Sequence, residues 1–561
     1  MLLPILTLSM AAAGVAWPPP DAIEWTAAYD ATVLPGDAEP YWRPYEGADT
    51  SATLEDEGLR IVDTSSTQGS MRSFRRSWHV DPAQGAAVEA RIRLVTNNSR
   101  GGAHLMAADG EHEVLLTLYP DRIVAGEDDL ACAMDTTDGF HVYRLAIRGG
   151  DFLVWVDGAL AIDGTGKHTR PAYSGRNCVA FGAGSSTAQS EMVYAYVRYA
   201  VFGELPMPER VAGAEDVIIF KERDVYACFP SLYRLDDGTL ATSFGTRARR
   251  SHIDPTGGSA CYVSKDQGHT WERLEGSRPT DPRLRCKDGS LVVASSYGWR
   301  EVPEERRGEF QEKGITVRDV RPGVVAYLQG AYVRRSTDDG KTWQTEDIAL
   351  PPHRSMMHFN GSDRCTLSNG VRLSSVYGKL QGEEVSRTFV LRSDDDGKTW
   401  EFLPLAADPN GEVALNETAL AENAEGEVIA MMRAEPPNGG YLYCSTSNDS
   451  GRTWTEPRRT DLWGYPAHLL RLQDGRMLCT YGYRRHAMGV RAAISDDGGH
   501  TWDAGKVVVI RCDGDGAGGD LGYPLSIETA PGDIFTIYYI TTADGITHVA
   551  GTHWQAPSPT P

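Results

Sequence analysis

The chain reads as an all-β protein in two parts, a β-sandwich followed by a six-bladed β-propeller. Three observations predict this. Residues 22–205 hold alternating runs such as "AAVEARIRLV", "HEVLLTLY" and "DFLVWVDGALAIDG", the period of antiparallel strands with one buried face. From about residue 213 an apolar strand, a glycine turn and a second apolar strand recur six times. Among these units a turn of the form Ser-x-Asp-x-Gly-x-Thr-Trp recurs five times, beginning at Ser264, Ser336, Ser393, Ser447 and Ser495.

Length and composition agree. At 561 residues the chain is too long for one ordinary core, and 59 glycines and 31 prolines suit a turn-rich protein. A formal charge of −22 argues against a nucleic-acid or anionic-membrane partner, so an anionic ligand would need a local cluster of arginines. No stretch reaches 18 apolar residues, and a membrane span is not expected.

Taken in order, residues 1–16, "MLLPILTLSMAAAGVA", read as a signal peptide, with an apolar run and small residues before Trp17 but no basic start. The expected location is secreted or periplasmic. Residues 22–205 form the sandwich, and Asp157-Gly158 marks a tight hairpin within it. "GELPMPERVAG" (203–213) reads as a linker. Nine cysteines show no CxxC pair or zinc spacing; Cys132 with Cys178 is a candidate disulfide, and most of the others read as buried thiols.

The propeller spans 213–556. The turn glycines of its six units are Gly238, Gly289, Gly370, Gly426, Gly475 and Gly532, at intervals of 51, 81, 56, 49 and 57 residues, the size of four-stranded blades. Five units are followed by the Ser-x-Asp-x-Gly-x-Thr-Trp turn and the sixth is not. "EDVIIFKE" (215–222) is placed to complete the last blade and close the ring.

The repeated turn matches the Asp box of the sialidase-type β-propeller, and residues 213–556 resemble the exo-sialidase family. The sandwich resembles, by pattern alone, a concanavalin-like jelly roll. In the Asp box the carboxylate accepts backbone N–H bonds, Gly takes a positive φ and Trp packs between strands. These aspartates are therefore expected to be scaffold and not catalysts.

Family members carry a nucleophilic Tyr, a Glu that activates it, an Asp acid/base and three arginines on the substrate carboxylate. The resemblance implies these roles for Tyr523 in "DLGYPLSI", Glu417 in "LNETAL", Asp254 in "RRSHIDPTGG" and Arg433 in "AMMRAE". The third arginine is Arg484 or Arg491. A neutral tyrosine suits an anomeric carbon that bears a carboxylate, and it needs a base in contact. The chain departs from the family at Cys228, in "ACFPSL", where the first-blade arginine belongs; Arg247, Arg249 and Arg250 are near in sequence. His252 is a further candidate substrate contact, and His358 and His468 begin inner units. Each also has a plain structural reading: Tyr523 as a core aromatic, Glu417 as a solvated acid, Asp254 as the start of an Asp-Pro turn.

No phosphate loop, nucleophile elbow or metal cluster stands out in the sequence, so no cofactor is expected. Three readings follow: a secreted retaining exo-sialidase acting on glycans, a hydrolase or lyase of other acidic (uronic-acid) glycans, and a non-catalytic glycan-binding protein.

Overall fold

A computed structural model describes residues 17, 22–47, 49–66, 70–184, 189–247, 257–276, 278–296, 299–328, 330–358, 363–435, 440–517 and 520–559. The chain is all-β and divides into two compact units, Met1–Leu205 and Pro206–Pro561. Residues 1–16, read as a signal peptide, lie outside the described residues.

In the first unit two antiparallel sheets share one core. The larger runs Ala159–Gly164, Asp151–Val156, His141–Arg148, Ala86–Asn97, Ser190–Val201, Gly58–Asp63 and Thr50–Glu55, with Ala27–Tyr29 also paired to Ser190–Val201. The smaller runs Leu130–Ala133, Arg122–Ala125, Glu113–Tyr119, His104–Asp109, Asn177–Ala183, Arg72–Ser77 and Arg43–Glu46. Leu59, Ile92 and Tyr143 of one sheet and Leu116, Val179 and Phe181 of the other belong to the same buried cluster, as alternation along the strands requires. Asp157 and Gly158 both take positive φ, 49° and 84°, the backbone of a two-residue hairpin turn. The expected Cys132–Cys178 disulfide is not formed. All nine cysteines are free; Cys178 is buried in the smaller sheet, and Cys132 lies on its edge strand.

Among the described residues of the second unit, six sheets follow one another along the chain. Their first strands begin at Tyr226, Leu291, His353, Leu415, Ala467 and Leu521. The last sheet is completed from the other end of the unit, because Glu215–Phe220 pairs antiparallel with Thr547–Gln555. The cores lie between consecutive sheets: Ala294 packs with Met356 and Phe389, Leu373 with Leu420 and Met432, Ile429 with Leu469 and Cys479, and Leu478 with Ile534 and Ala550. Phe244 of the first sheet packs with Phe535 and Ile537 of the last. Tyr233 OH, on the first sheet, donates to Pro279 O at 2.7 Å, in the connection that leads to the second sheet.

The long interval of 81 residues has a physical cause. Trp299–Pro303, Val317–Arg321 and Val324–Leu328 form a separate three-stranded sheet, with the short helix Arg307–Glu312 beside it. It is inserted between two strands of the second sheet, Leu291–Ser296 and Ala331–Ser336, which pair with each other across it. Among the described residues no helix is long and apolar enough to cross a membrane.

All five Ser-x-Asp-x-Gly-x-Thr-Trp turns close on themselves in the same way. In the fourth, Ser447 Oγ donates to Asp449 Oδ1 at 2.8 Å, Gly451 N donates to Ser447 Oγ at 2.9 Å, Thr453 Oγ1 donates to Asp449 Oδ2 at 2.6 Å and Trp454 Nε1 donates to Gly451 O at 3.2 Å. Asp266, Asp338, Asp395 and Asp497 each accept the matching threonine hydroxyl. Every carboxylate is spent inside its own turn. The turn glycine also marks an inter-sheet seam. A Cβ on Gly268, Gly397, Gly451 or Gly499 would lie 2.9–3.1 Å from Phe535, Val292, Leu373 or Ile429 of the preceding sheet.

Candidate functional site

The strand register brings two of the candidate residues out of the regular ladder. Between Leu415–Glu422 and Val428–Ala434, Asn416 pairs with Arg433 and Thr418 with Met432, so Glu417 is the extra residue of a β-bulge. Between Leu521–Ala530 and Asp533–Thr541 the register shifts between Gly522 and Leu525, at Tyr523. A bulge turns a side chain away from its strand's alternation. Tyr523 also holds φ at 51°, a left-handed conformation rare for a bulky residue and costly enough to need support from its surroundings.

The two side chains meet. Tyr523 OH donates a short hydrogen bond to Glu417 Oε1. Glu417 Oε2 accepts from Arg433 Nη1 at 2.8 Å, and Arg433 Nη2 faces Glu435 Oε1 at 2.9 Å. Glu417 is 6% exposed, and the paired guanidinium is what makes its buried charge tolerable. Burial, then the adjacent Glu417 charge, raises the Tyr523 pKa well above the ordinary phenol value, so the phenol keeps its proton at rest. Burial opposes the charge of Arg433, but Glu417 and Glu435 outweigh it and raise its pKa.

Aromatic rings fix the Tyr523 ring. Phe229, itself at φ 55°, meets it edge-on with centroids 4.6 Å apart, and Tyr539 lies 6.0 Å away. The guanidinium carbons of Arg433 and Arg484 lie 4.4 Å and 5.2 Å from the centre of the Tyr465 ring. Arg484 Nη2 donates to Leu521 O at 2.8 Å and lies 3.2 Å from Asp520 Oδ1. Asp520 in turn accepts from Tyr226 OH at 2.5 Å and from Tyr539 OH at 3.0 Å.

Arg247, on the strand paired with Tyr226–Cys228, places its guanidinium against the Cys228 thiol. Burial pushes that thiol's pKa up to about 12, and Arg247 pulls the other way. An arginine, Arg247, thus lies beside position 228, on the neighbouring strand of the same sheet.

The remaining candidates separate. Arg491, read as an alternative third arginine, is 4% exposed and spends its guanidinium on backbone: Nη1 donates to Arg511 O at 2.5 Å and Nη2 to Ala487 O at 2.7 Å. It holds the fifth sheet together, and Arg484 is the one beside Tyr523. His468 is buried, accepts from Ser526 N at 3.3 Å, and burial drives its pKa down to about 3. His358 hydrogen-bonds Ser296 O. Asp254, His252, Arg249 and Arg250 lie outside the described residues.

Asp520, Glu435, Tyr465, Tyr226 and Phe229 were not anticipated from sequence. A signal existed for Tyr465: "GYP" opens both the fifth unit at Gly464 and the sixth at Gly522.

Residues 319–536 match the model of the BNR repeat-like domain. Two curated relatives align: a sialidase of Bacteroides fragilis (strain YCH46), 24% identical over 256 residues, covering 40% of this chain and 42% of the relative, and a sialidase of Micromonospora viridifaciens, 26% identical over 240 residues, covering 40% and 35%. The matched part thus spans less than half the length of either relative. Among solved structures, a protein of unknown function from Dyadobacter fermentans is 29% identical with a TM-score of 0.49, over 62% of this chain and all of that one. With five self-closed Asp-box turns and this matched domain, the chain belongs to the sialidase/BNR-repeat superfamily.

Proposed function

We propose that the protein is an exported, retaining exo-sialidase-type glycoside hydrolase. In this reading the second unit is a six-bladed sialidase-type propeller and the first a concanavalin-like sandwich. The observation that carries the proposal is the Tyr523–Glu417 hydrogen bond, made by two bulged residues from different sheets with Arg433 on the far side of the carboxylate. Mere binding of a glycan has no need of a tyrosine held against a base.

The chemistry follows from the charges. Burial and the Glu417 charge both disfavour a free phenolate, so Tyr523 does not ionise ahead of attack. Its proton passes to Glu417 as the phenolic oxygen bonds to the anomeric carbon. The glycosidic bond breaks, and the departing oxygen takes a proton from Asp254, a role that rests on the family resemblance. In the second half Asp254 accepts a proton from water, the water oxygen replaces Tyr523 on the anomeric carbon, and Glu417 returns the proton to the phenol. Arg433, Arg484 and Arg247 supply the cationic face for the substrate carboxylate.

Release of the fluorophore from a fluorogenic sialoside, abolished by Tyr523→Phe, is the result expected. Turnover of an oligouronide with no turnover of sialosides would move the substrate to other acidic glycans, a reading that Cys228 favours. Binding on a glycan array with no turnover of either would leave a lectin.

A further inference from the structure

Away from that site, the first unit contains a cluster of buried donor atoms that its own hydrogen bonds do not use. Asp109 closes the strand His104–Asp109, His112 lies in the turn that follows, and His168 lies in the connection that returns towards Asn177–Ala183. Each offers a ligand atom, and these atoms all lie within 4.8 Å of one another. The His112 and His168 rings are 5.4 Å apart, inclined at 57°.

The satisfied atoms determine what the others can do. Asp109 Oδ1 accepts from Glu111 N at 2.9 Å and from His112 N at 2.7 Å, which fixes the carboxylate, while Oδ2 is buried without a hydrogen-bond partner, 3.8 Å from His168 Nδ1. His168 Nδ1 lies 2.9 Å from Gly149 O. A carbonyl only accepts, so Nδ1 carries the hydrogen and Nε2 is left with its lone pair. That Nε2 is also buried without a partner, as is His112 Nδ1. Asp109 and His168 are each 1% exposed. Orphaned acceptors packed together in a folded core are costly, and here they are one carboxylate oxygen and ring nitrogens, the donor set of a zinc-class ion. A histidine oriented by a backbone carbonyl through its other nitrogen is the usual outer support of such a ligand. The neighbouring carboxylate Glu113 is excluded as a ligand because Arg170 and Arg176 hold it at 3.2 Å and 2.6 Å.

We propose that Asp109, His112 and His168 bind one divalent transition-metal ion of the zinc class, completed by water, which staples the 165–176 connection to the Asp109–His112 turn. The spacing Asp-x-x-His with a histidine 56 positions later is too open to stand out as a motif.

The test uses the tag-free full chain, stripped with chelator and dialysed against micromolar Zn2+ or Co2+. Expected are one equivalent of metal per chain, a Co2+ visible absorption band typical of mixed nitrogen and oxygen ligands, and a thermal midpoint that rises with added Zn2+. Asp109→Asn and His112→Gln should each weaken binding at least tenfold and abolish the midpoint shift. His112 is only half-buried, so His112→Gln stays folded even if His168→Gln does not. Absence of stoichiometric uptake by the unmodified chain would overturn the proposal. So would uptake that is unchanged in both Asp109→Asn and His112→Gln.

Discussion

Tyr523 and Glu417 stand 106 positions apart in sequence and share one short hydrogen bond, each projected from a β-bulge. Removing the hydroxyl leaves the ring's packing on Phe229 intact, a contact of about 0.5–1.5 kcal/mol. Tyr523→Phe should therefore keep its thermal midpoint within about 2 °C while sialoside turnover falls below detection. Glu417→Gln should lower kcat by about 10²–10⁴-fold, the usual contribution of a positioned base. Initial rates and a melting curve on the same preparations check both.

Arg433 is predicted to behave differently. Its loss strands the Glu417 charge at 6% exposure, and breaking a buried pair on one side costs about 3–5 kcal/mol. Arg433→Met should lose stability as well as turnover, and Arg433→Met combined with Glu417→Gln should recover most of the stability. Urea unfolding of the two variants reads the difference.

Arg247 and Arg491 should part company. On the proposed role of Arg247 at the substrate carboxylate, Arg247→Ala should remove a charge-assisted bond of about 1.5–3 kcal/mol and raise KM for a sialoside by roughly 10- to 100-fold. Arg491→Met leaves the carbonyls of Arg511 and Ala487 without their donor and should cost about 1–3 kcal/mol of stability with KM unchanged. Steady-state kinetics beside unfolding curves would expose an error in either assignment.

The Asp-box carboxylates predict an acid limit. Asp266, Asp338, Asp395 and Asp449 are held down at about 2. In the first two the Thr270 and Thr342 hydroxyls are the main cause; in the other two burial pushes upward and the Thr399 and Thr453 bonds outweigh it. Because the folded values lie below the ordinary aspartate value of about 3.9, this stabilisation is complete above about pH 4 and drains away as pH falls towards 2. The groups are solvent-exposed, so each contribution is small. The thermal midpoint should fall cumulatively between about pH 4.5 and 2.5, and Asp449→Asn should flatten part of that slope.

Gly451→Ala tests the seam. The residue holds φ 83°, and its new Cβ would lie 2.9 Å from Leu373 Cδ2. The backbone alone costs about 1–2 kcal/mol, and the leucine tip must move as well. A loss at the upper end of that range, measured in urea, is expected.

These features differ in how far the sequence displayed them. The five turns were legible because each closes within eight consecutive residues, so its chemistry is local. The closing strand was legible too, since "EDVIIFKE" was left over once six hairpins had been counted. The inserted sheet at 299–328 showed only as an overlong interval. Asp520 was hidden because its partner Tyr226 lies 294 positions away, and the Glu417 and Tyr523 bulges were hidden because register is a property of two strands together. Arg491 could not be told from Arg484 for a related reason: the carbonyls of Arg511 and Ala487 that accept from it come from other parts of the chain.

The pairing of Glu215–Phe220 with Thr547–Gln555 has a consequence for biogenesis. During synthesis the early strand must wait, its edge uncovered, until more than three hundred further residues have emerged. Phe229 and Tyr523, drawn from the two sides of that junction, can meet edge-on only once the ribosome has nearly finished. A chain cut short before position 547 would lack the latch, and with it any competent arrangement of the residues on either side.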